Sequence, residues 1–444
     1  GGTAERKTAT EGSRVEPFLH RHAMRSMLAL SLPVSPGATL RKPMPSEFPP
    51  IDFDSFHRED LPRRIAEGAT GNAAAGAHDL APLGLRIENE EMIYTYLPRE
   101  GKIEIAQGDD RAGLVVELKR SGWEGLVHDL ESPASLLYHR EVRALRGDLM
   151  EFIRWEASLR ALYTGRPVYD AEAIDLRDSV GNPLDPARAF ELGDDAAEMK
   201  HFLNETGYLF VKNAFTLEEL DGFHAGAATL RERATPDDQK SWWVKNRQGE
   251  NVLCRTLQAG IMSQLSGLTT DPRILDLVAL APVKMVALDA DEIDAVSILW
   301  KLPEIKEGLA DLPWHRDCGM GGHASMCPTL VCSIFLGPNT PEAGELRFLP
   351  GSWRSTFRVG EATGENALHG IQIPAQPGDL TLHYGDGWHA APPPTGKSGP
   401  FRSCILVSFQ RDGAYNHRGK RHYNDVLLGE DEGQVADVNQ VADV

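Results

Sequence analysis

From Val296 to Gln410 the chain repeats one kind of unit: a short run of apolar and β-branched residues closed by glycine or proline. Val296–Trp300 and the runs 329–336, 345–349, 368–373, 379–384 and 401–410 all have this form. The glycines and prolines between them supply turns rather than helix interiors. Many short buried strands in succession close into a barrel or a jelly roll. The second half of the chain is therefore expected to be an all-β barrel. Any chemistry it carries must then be mounted on strand ends and turns.

Chemistry-bearing residues fall at such places. His315-Arg316-Asp317 follows the Val296–Trp300 run. Residues two apart on a strand face the same side, so an imidazole nitrogen and a carboxylate oxygen can take two neighbouring positions on one metal ion. A third ligand from a distant strand would complete a 2-His-1-carboxylate face, whose open positions suit non-haem Fe(II). A bare His-x-Asp occurs at many surface strand ends, so the third ligand decides. The stretch Gln376-Pro-Gly-Asp-Leu-Thr-Leu-His-Tyr-Gly-Asp-Gly-Trp-His offers two candidates, His383 and His389. Arg402 opens the last strand, and a guanidinium there can grip a carboxylate through its planar fork.

Together, His315-x-Asp317, Gly344-Glu-Leu-Arg-Phe-Leu-Pro-Gly-Ser-Trp353, Gly378-Asp-Leu through His389, and Arg402 resemble the phytanoyl-CoA hydroxylase-like family of Fe(II)- and 2-oxoglutarate-dependent dioxygenases. Glu205-Thr-Gly-Tyr-Leu-Phe-Val-Lys-Asn-Ala-Phe-Thr-Leu-Glu-Glu-Leu is similar to that family's opening helix and strand. The resemblance implies a double-stranded β-helix of jelly-roll or cupin type with flanking helices. It implies iron on His315, Asp317 and His389, and the distal carboxylate of 2-oxoglutarate on Arg402. His383 then falls where the family often has a histidine that does not bind metal. Ser297 and Lys301 match positions that approach the cosubstrate or substrate. The implied cofactors are Fe(II) and 2-oxoglutarate, with O2 as cosubstrate. The implied reaction is hydroxylation of an unactivated C–H of a small, apolar or lipid-like molecule, releasing succinate and CO2. The alternatives are desaturation, cyclisation or epimerisation with the same cofactors, or a non-catalytic lipid-binding protein on a degenerate barrel. A complete ligand set with Arg402 speaks against the last.

Upstream, residues 1–50 are proline-punctuated and read as a mobile arm. Residues 51–172 read as an accessory α+β unit. Glu91–Leu97, Lys102–Ala106 and Gly113–Leu118 are its expected strands. A helix is expected from Ser121, with Ser121 as its cap, and a second over 146–163 from its apolar spacing. The region 90–165 faintly resembles a sterol-carrier-protein-2-like lipid-binding module. Residues 173–194 read as a linker, 195–425 as the oxygenase unit and 426–444 as a tail, which holds a tandem Gln-Val-Ala-Asp-Val. Thr216 with Glu219 is a capping-box pattern opening a helix. The fold class is thus α+β, a smaller amino-terminal domain before the barrel.

Charge and cysteine content narrow the partners. The net charge is −19, from 65 acidic and 46 basic residues, which disfavours nucleic acid and anionic membrane because phosphate binding needs a basic face. No apolar run reaches membrane-spanning length. Five unevenly spread cysteines make no disulfide framework, so reduced thiols and a cytoplasmic location are expected. His323 and Cys327 lack a partner pair at zinc-site spacing. A small-molecule substrate is the expected partner, with room for a homodimer.

Overall fold

The structure is a computed structural model. It describes residues 48–307, 310–318, 329–358 and 369–414. The proline-rich arm up to residue 47, His323 and Cys327, and the repeats after residue 430 lie outside these residues.

The first part of the chain builds a five-stranded sheet faced by short helices. Two helices, α1 (Phe53–Ser55) and α2 (Leu61–Ala66), lead into β1 (Leu83–Ile87), β2 (Ile93–Arg99), β3 (Lys102–Gln107) and β4 (Leu114–Leu118). Then come α3 (Arg120–Val127), α4 (Pro133–Tyr138), β5 (Val142–Arg146), α5 (Leu149–Arg154) and α6 (Glu156–Thr164). The strand order is β3-β2-β1-β4-β5, with β1 and β4 parallel. Trp123, Trp155, Tyr94, Tyr96 and Phe152 fill the space between sheet and helices.

Two local expectations are corrected here. Ser121 lies inside α3, whose cap position is Lys119 with no side-chain cap bond. The segment 146–163 is not one helix: Arg146 ends β5, Gly147 turns at φ +82°, and Asp148 caps α5 through Met150 N–H. Helical spacing of apolar residues survives such a break because α5 and α6 bury the same side.

A second core begins at Phe190. Here β6 (Phe190–Glu191), α7 (Ala196–Thr206) and β7 (Tyr208–Lys212) precede α8 (Leu217–Arg233). Thr216 and Glu219 close the expected capping box at the start of α8; a cap of this kind is worth about 1 kcal/mol. Next come β8 (Ser241–Asn246), β9 (Asn251–Thr256), α9 (Pro272–Val278), β10 (Met285–Ala287) and β11 (Val296–Trp300). The remaining strands are β12 (Ile305–Glu307), β13 (Leu312–His315), β14 (Thr329–Phe335), β15 (Arg347–Phe348), β16 (Ile371–Gln372), β17 (Leu380–Tyr384), β18 (His389–Ala391) and β19 (Ser403–Arg411).

These strands form the two sheets of a jelly roll. The larger has the order β12-β8-β9-β11-β19-β14-β17-β7-β6, with β10 also on β19; the smaller has the order β13-β18-β15-β16. Leu382 of β17, Ile405 and Val407 of β19, and Cys332 and Ile334 of β14 are fully buried in the core. Truncating such a leucine or isoleucine to alanine costs about 2–5 kcal/mol. The frame under the small sheet is therefore rigid. No helix among the described residues is long and apolar enough to cross a membrane.

Candidate metal centre

The small sheet brings the two halves of the motif together. His315 ends β13 and pairs directly with His389, the first residue of β18. Residues directly opposed on antiparallel strands are close neighbours, and these two rings stand 4.1 Å apart between centroids. Phe348 of β15 pairs with His389 from the other side. Asp317 lies two residues beyond His315, past the strand end. One ligand atom from each of His315, Asp317 and His389 falls within 4.8 Å of the others.

The rings are oriented for a metal. His315 Nδ1 lies 2.8 Å from Pro313 O and His389 Nδ1 lies 3.0 Å from Gly387 O. A carbonyl can only accept, so Nδ1 carries the proton in both rings and the Nε2 lone pair points inward, as metal-binding histidines require. The Nε2 atoms stand 3.9 Å and 3.6 Å from Asp317 Oδ1. Burial lowers the pKa of both imidazoles, which keeps them neutral and able to coordinate. Burial pushes the Asp317 carboxyl up, but the imidazoles of His389, His383 and His315 outweigh it and hold the group well below the usual carboxylate range. Its side chain is 40% exposed, so the cluster opens outward on the Asp317 side. A donor set of two neutral imidazoles and one carboxylate fits ferrous iron.

His383 occupies a different place. It sits on β17 opposite Val331 and Tyr208, with Nε2 3.3 Å from Asp317 Oδ2. It therefore meets the carboxylate oxygen that faces away from His315 and His389. Its Nδ1 is buried with no partner among the described residues.

Gly385 explains how Asp317 is carried. Cys318 N–H donates to Gly385 O at 3.0 Å, and Gly385 N–H donates to Thr329 O at 2.9 Å. A Cβ at position 385 would stand 2.1 Å from Thr329 Oγ1 and 2.8 Å from Cys318 Sγ. Only glycine lets the three segments approach so closely.

Arg402 is 3% exposed. Its Nε donates to Gly344 O at 2.7 Å, and among the described residues no carboxylate lies within ion-pair distance of it. A buried cation without a carboxylate is costly unless an anion arrives, and a dicarboxylate cosubstrate would supply one. The other two expected cosubstrate contacts are engaged by the protein itself. Ser297 Oγ accepts from Arg255 Nη2 at 3.1 Å. Lys301 Nζ donates to Ala310 O at 2.8 Å and to Asp311 Oδ1 and Ala391 O at 2.5 Å each. Its three donors are all used, which leaves none for an anion. Burial lowers its pKa to about 8 against the pull of Asp311. Lys301 here ties the approach to β13 to the end of β18.

Among the tryptophans close to the motifs in sequence, Trp388 packs on Phe357 and Trp353 stacks on Tyr384. Trp300 lies beneath Arg231, and Trp314 joins the Phe357–Trp388 cluster. Sequence reasoning passes over two residues beside the ligands, Arg316 and Asp386, which form a buried ion pair at 3.0 Å. The only signal for them is a charged residue flanked by glycines in Gly385-Asp386-Gly387 and another enclosed by His315 and Asp317.

Residues 203–404 match the family model of phytanoyl-CoA dioxygenase (PhyH). No curated protein matches the chain in sequence. Among solved structures, EvdMO1 is 21% identical with a TM-score of 0.39, over 49% of this chain and 50% of that one. SnoK, a non-heme alpha-ketoglutarate-dependent carbocyclase from nogalamycin biosynthesis, is 20% identical with a TM-score of 0.39, over 58% of this chain and 97% of that one. The epimerase SnoN, in complex with Fe3+, alpha-ketoglutarate and nogalamycin RO, is 19% identical with a TM-score of 0.39, over 55% and 92%. The chain thus spans half the length of EvdMO1 and nearly all of SnoK and SnoN. This match falls on the jelly roll that carries the His-Asp-His cluster, so residues 203–404 form a phytanoyl-CoA dioxygenase (PhyH) family domain.

Proposed function

We propose that the chain hydroxylates an unactivated C–H of a small, largely apolar molecule, converting 2-oxoglutarate and O2 to succinate and CO2 as the C–H becomes C–OH. The observation that carries this reading is the meeting of His315, Asp317 and His389 within 4.8 Å, both rings turned inward by a carbonyl on Nδ1. A bound ferrous ion supplies the oxidising chemistry. The chain's residues do the holding. His315, Asp317 and His389 grip the ion on one face. His383 steadies the second oxygen of Asp317. Arg402 binds the far carboxylate of 2-oxoglutarate and so orients its other end toward the ion. The expectation of an apolar substrate rests on the aromatic surroundings: Phe348 lies 5.3 Å from the His383 ring and 6.0 Å from the His389 ring, and Trp314 precedes His315.

The same reading assigns the protein to a reducing compartment, the cytoplasm, since Cys254, Cys332 and Cys404 are buried thiols. It assigns residues 51–172 to bracing and covering the oxygenase unit. The test is succinate formation from 2-oxoglutarate with Fe(II) across a panel of small apolar metabolites. One or more should stimulate it and gain an oxygen atom, and His389→Ala should reduce succinate to background. Equal succinate from His389→Ala would remove the metal centre from the reaction.

A further inference from the structure

A polar cluster that the oxygenase chemistry does not use lies directly behind the ligands. Asp386 is 2% exposed, yet three guanidinium groups reach it. Arg316 Nη1 is 3.0 Å from Oδ1, Arg160 Nη2 is 3.1 Å from Oδ1, and Arg166 Nη1 is 3.1 Å from Oδ2. Arg160 also holds Asp129 through two bonds of 2.7 Å and 2.9 Å. Arg316 reaches Glu156 with its other nitrogen. Three cations and three anions therefore sit together in a mostly buried site, and Asp129, Glu156, Arg160 and Arg166 all come from outside the jelly roll.

The cluster's position gives it a purpose. Arg316 is the residue between His315 and Asp317. Asp386 begins the turn whose Gly387 carbonyl orients His389 Nδ1. The Arg316–Asp386 pair thus joins the strand end that carries two ligands to the turn that carries the third. Both segments lie past the strand ends of the small sheet, where the backbone joins them through the bond from Cys318 N–H to Gly385 O. Arg160 and Glu156 hold the outer ends of that pair. Arg160 bridges Asp129 and Asp386, so its removal would leave the two carboxylates to Arg166 and Arg316.

We infer that Arg160 and Glu156, on α6 of the amino-terminal module, are positioning residues for the metal centre: through Asp386 and Arg316 they fix the geometry of His315, Asp317 and His389. The inference rests on the metal-centre reading above and adds that this centre is completed from outside its own jelly roll. Partners that orient metal ligands from behind typically change metal affinity 10–100-fold when removed.

The full chain loaded with Co(II) in place of iron tests this, because the visible bands of Co(II) report coordination geometry independently of turnover. Arg160→Met should weaken Co(II) binding by about tenfold or more and shift those bands, and Arg160→Lys should restore part of both. Glu156→Gln, nearly isosteric, should move both in the same direction and keeps the test open if Arg160→Met fails to fold. Arg358→Met removes the Arg358–Asp79 pair, which also joins the amino-terminal module to the rest of the chain but lies outside the cluster; it should leave affinity and bands as in the wild type. Wild-type affinity and bands in Arg160→Met and Glu156→Gln would overturn the inference and leave the metal centre standing. An equal change in Arg358→Met would overturn it as well, since module docking in general would then be the cause. A wild-type chain that binds no Co(II) would overturn the centre and the inference together.

Discussion

The two oxygens of Asp317 have different neighbours, and the roles proposed for the three histidines follow from that difference. Oδ1 faces His315 and His389, while Oδ2 faces His383. His389→Ala should abolish Fe(II) binding at micromolar metal. His383→Ala should retain the ion with affinity lowered roughly 10–100-fold. Anaerobic metal titration separates the two, and the reverse order would move the ligand to His383. Arg402→Lys keeps the charge but loses the planar fork. Hydrogen bonds to charged groups are worth about 1.5–3 kcal/mol, so 2-oxoglutarate affinity should fall about tenfold or more with metal affinity unchanged. Unchanged affinity for 2-oxoglutarate would remove Arg402 as the anchor. At this scale the sequence is readable where chemistry and spacing coincide, as in His315-x-Asp317. It could not separate His383 from His389 by strand position alone; the carbonyl on Nδ1 of His389 is a tertiary fact. Arg160 is silent because its partner Asp386 lies 226 residues away.

Among the elements, the pairing of β13 with β18 sets the ligand spacing, and the Gly385 contact sets where Asp317 stands. Gly385→Ala drives a methyl into the Thr329 side chain, which is β-branched and stiff. Overpacking of this kind costs about 1–3 kcal/mol, and here it also displaces Cys318 beside Asp317. Denaturant unfolding should show that loss, and metal titration should show weakened binding; normal values in both would mean that the Thr329 and Cys318 side chains rotate away at no cost. In the amino-terminal module, His57 bridges Phe53 O at 2.7 Å and the Tyr96 hydroxyl at 2.7 Å. Burial lowers its pKa to about 4 from 6.5. The unfolded chain then takes up a proton that the folded chain refuses. Stability is full above about pH 6.5 and falls as pH drops toward 4, by roughly 3 kcal/mol for this group alone. Denaturation of the wild type and His57→Gln across pH 7 to 4.5 should show a shallower fall in the variant; identical slopes would contradict the assignment. The capping box of α8 was legible from Thr216 and Glu219, since both partners lie within one turn. Strand β5 was not, because four of its five residues, Arg143, Ala144, Leu145 and Arg146, are exposed and its polar and apolar side chains do not alternate. Strands β8 and β9 carry Trp242, Val244 and Leu253 between polar residues, and their pairing with each other makes this part of the sheet.

Among the described residues the two largest hydrophobic cores run from Phe53 to Val168 and from Phe190 to Phe409. The stretch between them is laced to the jelly roll: Thr356 N–H donates to Pro167 O and Tyr169 N–H to Thr356 O, both at 2.7 Å. Composition shows a proline- and aspartate-rich connection there and says nothing of these bonds, because they are made by backbone groups that every sequence carries. The jelly roll was legible as a whole because its strands repeat. The docking of the amino-terminal module was not, because it is written in single charged residues far apart in the chain. The proposed function requires that one face of this assembly bind ferrous iron and present it to 2-oxoglutarate held by Arg402. Its most direct test is anaerobic addition of Fe(II) and then 2-oxoglutarate to the full chain, followed by visible absorption. The weak charge-transfer band of the chelated cosubstrate should appear in the wild type and be absent from His389→Ala. A metal-loaded wild-type chain that shows no such band with saturating 2-oxoglutarate would contradict the claim.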